Sequence, residues 1–419
     1  MSSINIRSDI GKLKSVLVHR PGHETQNYLA GEFAQVFSLR PWSNSFDTDK
    51  AQHEHDRFTA MLKTQGVECL YLETLLREAL DADPQARVHL IDNFLAESGA
   101  TGDELQGPMR ELLEGASAET LVRLVLDGMR FGEVLPIVPA GLSLASATGE
   151  AFDEHMLLAN PLNTIFFTRD PVTAVGNGVL LNHMYWPERN REVLLYEIIF
   201  TYHPRFRDTP KWFKHTSSYH IEGGDVLNLS NDALLIGLSQ RTEAAAIDTL
   251  ARNLLWSEGT STITSLYAVE APSTGTRLHL DTYLNRIDYD AFIVDPHILN
   301  ATHLYRITKG RRAGDIHVRA LEMSLPSMLA QALHLPDVTC ITCTGGNTQM
   351  QERELENNAC AVLCLAPGRL CTFEENVQTN SLLEKAGMEL LPLRAEELTA
   401  GYGGANCLCL PLWREDLIQ

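Results

Sequence analysis

Positive charge is scarce in this chain: 34 Lys and Arg residues stand against 54 Asp and Glu, giving a formal net charge of −20 and a sequence pI near 5.2. There is no basic field to neutralise phosphates, which excludes a nucleic-acid binder. Repulsion from anionic membrane surfaces follows. The acidic balance suits a cationic substrate, but it suits plain solubility equally and does not decide between functions. Long apolar runs are missing too. None approaches the length of a membrane span, and Met1 to Arg20 holds no apolar stretch long enough for a signal peptide, so a cytoplasmic protein is expected. Cysteine is sparse at eight residues in 419, too few for a disulfide scaffold and expected to be reduced thiols. Low-complexity segments and long linkers are also absent. With 44% hydrophobic residues, the chain can bury a full core, and it is read as a single catalytic domain over 1–419.

Four of the cysteines need separate attention, because Cys340, Cys343, Cys360 and Cys364 follow a C-x2-C-x16-C-x3-C spacing close to a zinc ribbon. Geometry weakens that reading. Cys360 and Cys364 lie in an apolar run that reads as a strand, where residues four apart are separated by about 13 Å, too far to share one ion. Buried apolar thiols are expected, and no metal.

Five times the chain runs through a short apolar strand into a polar turn. These are Val16–Gly22, Ile165–Pro171, Leu234–Arg241, Phe292–Pro296 and Val362–Gly368. Counted from Val18, the intervals to Thr168, Leu238, Val294 and Cys364 are 150, 70, 56 and 70 residues, so an insertion is expected inside the first. From Glu73 to Gly132 apolar residues recur at helical spacing, as in Val88, Ile91 and Leu95, or Leu121, Leu124, Val125 and Met129. Asp83-Pro84 and the run Thr101 to Glu104 read as helix starts. An inserted helical subdomain over 74–158 is the expectation. Further helices are predicted near Ala51–Gln65, Glu243–Ser257 and Asn376–Ala386, alternating with strands, and Gly223-Gly224 and Gly345-Gly346 are read as closing corresponding strands.

The chemistry-bearing segments are Phe167-Thr168-Arg169-Asp170-Pro171, His220 to Asp225, His279-Leu280-Asp281 and Asn406-Cys407. Taken together they supply one nucleophile, one imidazole and several carboxylates, the set needed to break a C–N bond of a planar cation. A guanidinium carbon is a poor electrophile and must be held rigidly. Carboxylates do this best, since an N–H fork matches two oxygens. Asp170 is read as ending a strand at Pro171, from where its side chain projects. His279 and Asp281, two apart on an expected strand, point to one face. Glu222 precedes two glycines that permit close backbone approach. Cys407 follows the glycine-rich run from Gly401 to Asn406, where exposure is expected, with Cys409 as its competitor. Each has a plainer reading alone: a turn-capping Asp, a core His, a hairpin turn, a structural Cys.

These segments resemble the arginine deiminases of the guanidino-modifying, or pentein, superfamily, and the likeness spans essentially the whole chain. Phe167 to Asp170, Glu222 to Asp225, His279 to Thr282 and the Cys407/Pro411 pair stand in the family's order. Asn182 to Tyr185, Arg189, and Gly237 to Arg241 look like family segments as well. The resemblance implies an α/β fold, a five-bladed α/β propeller of pseudo-fivefold ββαβ repeats with an inserted α-helical subdomain. By similarity, Cys407 is the nucleophile, Asp170 and Asp281 clamp the guanidinium, and Glu222 and His279 move protons. Arg189 and Arg241 would bind the substrate α-carboxylate, with Phe167 along the aliphatic stem and Thr164 and Asp225 also in the binding set. It implies L-arginine as the small-molecule partner, no cofactor, no nucleic acid or membrane partner, and leaves a homo-oligomer open. Thr164 stands where the family usually has Asn, Tyr402 where many members have Arg, and the loop Phe37–Asp49, with Leu39 to Trp42, lacks paired aspartates. These departures bear on the substrate, so methylarginine or agmatine hydrolysis, amidino transfer and a non-catalytic guanidino binder stand as alternatives. An empty pocket ringed by Asp170, Glu222 and Asp281 also implies that Cys407 stays a thiol until a cation binds.

Overall fold

Short apolar strands bury both faces only when helices cover them, and among the described residues the chain meets this demand five times with one pattern. Each unit pairs a central strand antiparallel on one side and parallel on the other, the parallel partner arriving through a helix. In the first, Leu13–Val18 lies between Leu410–Arg414 and Glu68–Tyr71, with helix Thr48–Thr64 in the crossover. The second joins Val172–Val175, Gly178–Leu181 and Lys211–Phe213 across helix Pro187–Tyr202. The third joins Val226–Asn228, Ala233–Leu238 and Ser265–Glu270 across helix Ala244–Leu255, and is widened by Leu304–Lys309 and Ile316–Ala320. Leu284–Arg286, Ala291–Val294 and Thr339–Thr342 form the fourth across Leu325–Ala332. The fifth is Leu363–Ala366, Arg369–Phe373 and Glu389–Leu393 across Val377–Lys385. The architecture is mixed α/β, and the first and last strands of the chain share one sheet.

The computed structural model describes residues 3–29, 31–37, 43–100, 103–134, 153–272, 277–300, 303–346, 348–399 and 403–417. Leu39 to Trp42, Thr101, Gly102, Gly401, Tyr402 and residues 135–152 of the predicted insertion lie outside them. Helices Leu72–Ala82, Pro84–Glu97, Asp103–Gly115 and Ala118–Asp127 occupy the stretch where helical spacing was read. Asp83 starts the second of these by accepting a bond from the Gln85 N–H at 2.8 Å, a cap worth about 1 kcal/mol. Leu76, Ile91, Phe94 and Leu121 share one core with Val193, Tyr196 and Phe200 of helix Pro187–Tyr202. Val88, read as part of the apolar stripe, is instead 49% exposed.

Helix Pro187–Tyr202 was not predicted. Val193, Leu194, Leu195, Tyr196, Ile198 and Ile199 are all buried, so the segment shows no polar face and no amphipathic period. Ile165 to Phe167 is not a strand. The Phe167 N–H bonds the Thr164 carbonyl at 3.0 Å in a turn, and the run is apolar because Ile165 enters one core while Phe166 and Phe167 enter another. Asp170-Pro171 therefore opens strand Val172–Val175 rather than closing one. His279 is extended and Asp281 lies in the 3-10 turn Leu280–Thr282, not on a strand. Gly223-Gly224 precede their strand while Gly345-Gly346 follow theirs, so the two pairs do not correspond. Cys360 lies ahead of strand Leu363–Ala366 rather than on it, with its sulfur 2.8 Å from that of Cys343.

Candidate active site

Two glycines bring three remote segments together. A Cβ on Gly223 would sit 2.0 Å from the Arg169 carbonyl oxygen, and one on Gly224 would sit 2.7 Å from His279 Cγ. Only hydrogen fits at either place. The Gly223 N–H then bonds the Asp170 carbonyl at 3.0 Å, and Asn182 Nδ2 donates to the same oxygen at 2.7 Å. Asp225, at the end of this turn, is buried with its oxygens occupied by Ser239 Oγ and Thr242 Oγ1, both at 2.6 Å, and the Leu280 N–H at 2.8 Å. It ties the 222–225 turn to the segments carrying Arg241 and His279. Burial raises its pKa to about 6 against the pull of His279 and these donors.

Within this frame His279 Nε2 lies 2.6 Å from Glu222 Oε2, and its Nδ1 lies 3.9 Å from Asp170 Oδ1. Burial pushes the imidazole pKa down, but Asp170 and Glu222 outweigh it and raise the value to about 9. Burial likewise pushes the Glu222 carboxyl up, and the His279 bond with the His279, Arg241 and Arg189 charges brings it down to about 2. The pair is an ion pair at neutral pH.

Cys407 lies in the turn Ala405–Leu408, its sulfur 3.3 Å from the Gly404 N–H and 3.9 Å from Asp281 Oδ2. It is 4% exposed, so the expected exposure does not hold. Gly403 and Gly404 pack inward instead: a Cβ on Gly403 would sit 1.9 Å from Phe167 Cε1, and one on Gly404 would strike Ala361. Asn406 Nδ2 donates to the same Asp281 oxygen at 3.0 Å. Burial, then Asp281 and Asp170, hold the Cys407 thiol well above its ordinary pKa. Cys409 is also buried, but the charged groups acting on it are Arg414 and Arg169, and among the described residues no carboxylate contacts it. Asp170 Oδ1 and Asp281 Oδ1 are buried without hydrogen-bond partners. Two unsatisfied carboxylate oxygens near one thiol constitute a receptor for a cation.

Arg189, Arg241 and Thr164 surround this centre. Arg189 Nη1 donates to Asp170 Oδ2 at 2.9 Å, while its Nε and Nη2 reach the two oxygens of Glu192 at 3.0 and 2.9 Å. Thr164 Oγ1 donates to Glu192 Oε1 at 2.9 Å. Arg241 lies 3.7 Å from Glu222 Oε1, with its guanidinium 5.1 Å from the Tyr185 ring centroid and 5.6 Å from that of Trp186. Glu192 and Trp186 were missed from sequence, and Tyr185 was named only as part of a family segment, although Arg189 and Glu192 at i, i+3 carried a signal once a helix is recognised there. Among the described residues no group of three His, Cys, Asp or Glu side chains is arranged to hold a metal, and Cys340, Cys343, Cys360 and Cys364 form no such site.

Solved structures share this fold at low sequence identity. An amidinotransferase from Microseira wollei superposes with a TM-score of 0.55 at 13% identity, covering 100% of this chain and 99% of that one. The DDAH of Pseudomonas aeruginosa complexed with citrulline gives 0.50 at 13% identity, with 95% and 99% coverage. What the chain has in common with these two proteins is the fold. The sequence pattern described as Arginine deiminase matches residues 42–414, and the arginine deiminase of Treponema denticola is 35% identical over 420 residues, covering 100% of both chains. The chain belongs to the arginine deiminase family.

Proposed function

We propose that this protein hydrolyses L-arginine to L-citrulline and ammonia through a covalent intermediate on Cys407. The observation that carries the reading is the convergence of Asp281 and Asp170, each with an unsatisfied buried oxygen, with the Cys407 sulfur 3.9 Å from Asp281 Oδ2. In this mechanism Asp170 and Asp281 accept N–H bonds from the guanidinium and present its carbon to the sulfur. The C–S bond forms as the C–N bond to one terminal nitrogen breaks. His279, an imidazolium at neutral pH, gives that nitrogen its proton, and the thiol proton leaves with it as ammonium, so a thiouronium cation remains beside a neutral imidazole. Water, deprotonated by His279, then attacks the same carbon. Citrulline departs, the thiol reforms with the proton of the added hydroxyl, and His279 is left an imidazolium again. Glu222 keeps the imidazole charged and oriented.

Arg189 and Arg241 are the cations assigned to the substrate α-carboxylate, with Phe167 beside the stem, Thr164 acting through Glu192, and Asp225 bracing the loops. In the same reading the five units close into a five-bladed propeller, with 74–158 as an inserted helical subdomain, and the enzyme works in the cytosol without a cofactor. No helix among the described residues is long and apolar enough to cross a membrane. The test is to incubate the purified protein with arginine and quantify citrulline, ornithine and ammonia. Equimolar citrulline and ammonia are expected; ornithine appearing only with an added amine would identify an amidinotransferase instead. Cys407→Ala should lower turnover by about 10⁴-fold or more while Cys409→Ala stays active, and the reverse ranking would move the nucleophile.

A further inference from the structure

A cleft of about 880 Å³ opens between strand Lys211–Phe213 and helix Ala244–Leu255. Its size falls in the range of small-molecule sites. Its lining shares no residue with the candidate active site. Lys211, Lys214 and Arg252 contribute to the wall, and no Asp or Glu does. In a chain with 54 acids and 34 bases this is an inversion of the general balance.

Several surface cations elsewhere are neutralised at short range. Lys14 reaches Glu415 at 2.6 Å, Arg20 reaches Asp56 at 2.8 Å, Lys50 reaches Glu396 at 2.8 Å and Arg205 reaches Glu68 at 2.8 Å. The cleft differs. Neither Lys211 nor Lys214 forms an ion pair among the described residues, and Arg252 has only Asp248 at 3.9 Å. Lys211 is half-buried, and its pKa is lowered by burial first and by Lys214, with Glu197 opposing. Hydroxyl donors complete the wall. Ser257 Oγ accepts from the Ser261 N–H at 2.9 Å and Ser217 Oγ from the Tyr219 N–H at 3.3 Å, which leaves each O–H free to point at a ligand.

The geometry points to a second binding site here, for a small polyanion carrying two or more phosphate groups. Two ammonium groups and one guanidinium spread along a cleft match several phosphate oxygens, and the serine hydroxyls donate to the remainder. A single carboxylate or orthophosphate meets too few of these groups at once.

Inorganic pyrophosphate, orthophosphate and citrate are the probes, titrated into the full-length protein by calorimetry and by the fluorescence of Trp212 and Trp256 beside the cleft. Pyrophosphate is expected to bind at least about tenfold more tightly than orthophosphate or citrate, and to weaken as salt is raised. The triple variant Lys211→Ala, Lys214→Ala, Arg252→Ala should lose that binding by about tenfold or more, keeping its circular dichroism and its guanidino turnover. Pyrophosphate binding unchanged in the variant, citrate binding as tightly as pyrophosphate, or no heat or fluorescence change with pyrophosphate would each overturn the assignment. Should the triple variant fail to fold, Lys214→Glu alone, at an exposed position, gives the same reading.

Discussion

Arg189 holds Asp170 at 2.9 Å, so the carboxylate assigned to the substrate's guanidinium already carries a guanidinium of the protein. In the proposed mechanism substrate binding is therefore an exchange, in which Asp170 gives up Arg189 for the incoming cation and Arg189, still gripped by Glu192, takes the substrate carboxylate as its new partner. A cation without a carboxylate can drive only half of this exchange and leaves a buried charge less well matched than before. Agmatine is accordingly expected to react with a kcat/KM lower than that of arginine by about 30-fold or more, the equivalent of about 2 kcal/mol. Arg189→Lys, which replaces a fork by a point charge, should narrow the gap. Steady-state kinetics on both substrates decide the matter, and equal efficiencies in the wild type would rule out the exchange.

The ionisation states in the site give a second expectation. Burial, Asp281 and Asp170 favour the thiol form of Cys407, and a bound cation offsets both carboxylates. Alkylation of the free protein should therefore remain slow at neutral pH, and an inert guanidinium ligand small enough to leave the sulfur accessible should shift the alkylation profile to lower pH. An identical profile with and without the ligand would contradict this. In the proposed mechanism His279 sets the alkaline limit, because above about 9 it loses the proton that ammonia must receive, and kcat should fall there. In stability the signs differ for the two partners. The contribution of His279, whose pKa is raised, is complete below 6.5 and lost as pH rises through about 9. That of Glu222, whose pKa is lowered, is complete above 4.5 and lost as pH falls toward about 2. The melting-temperature difference between wild type and Glu222→Gln should thus be largest between about pH 4.5 and 6.5.

What could be read from sequence follows from which signals are local. Helix Thr48–Thr64 and helix Ala244–Leu255 each show one apolar stripe and fall where expected. Glu222 and Cys407 were recognisable as groups beside glycines, and His279 and Asp281 as a polar pair on what reads as a strand, and all four are buried in one place or in contact with it. The helix carrying Arg189 and Glu192 was illegible because it is covered on all sides, so hydrophobic period carried no information. Phe166 and Phe167 mimicked a strand for the same reason, since burial without ladder pairing leaves the same apolar run. The Arg189–Asp170 contact spans 19 residues and depends on how a turn meets a helix, which no spacing rule encodes.

Gly224 offers a test of how tightly the imidazole is positioned. A methyl group there would lie 2.7 Å from His279 Cγ and 2.8 Å from its Cβ, so the ring must move or the turn must open. Either displacement lengthens the 2.6 Å contact with Glu222 on which the raised pKa of His279 depends in part. Gly224→Ala should therefore lower kcat by about 100-fold, as misplacement of a reacting group by about 1 Å does, and move the alkaline limb of the pH profile to lower pH. Because Gly224 has no positive φ, the substitution adds no backbone strain of its own. Gly66→Ala is the counterpart control, with φ +75 and open space around its Cβ. It should cost about 1 kcal/mol of stability through backbone strain and leave kcat and its pH profile unchanged. If Gly224→Ala keeps the wild-type kcat and alkaline limb, the imidazole is not held in place by this turn.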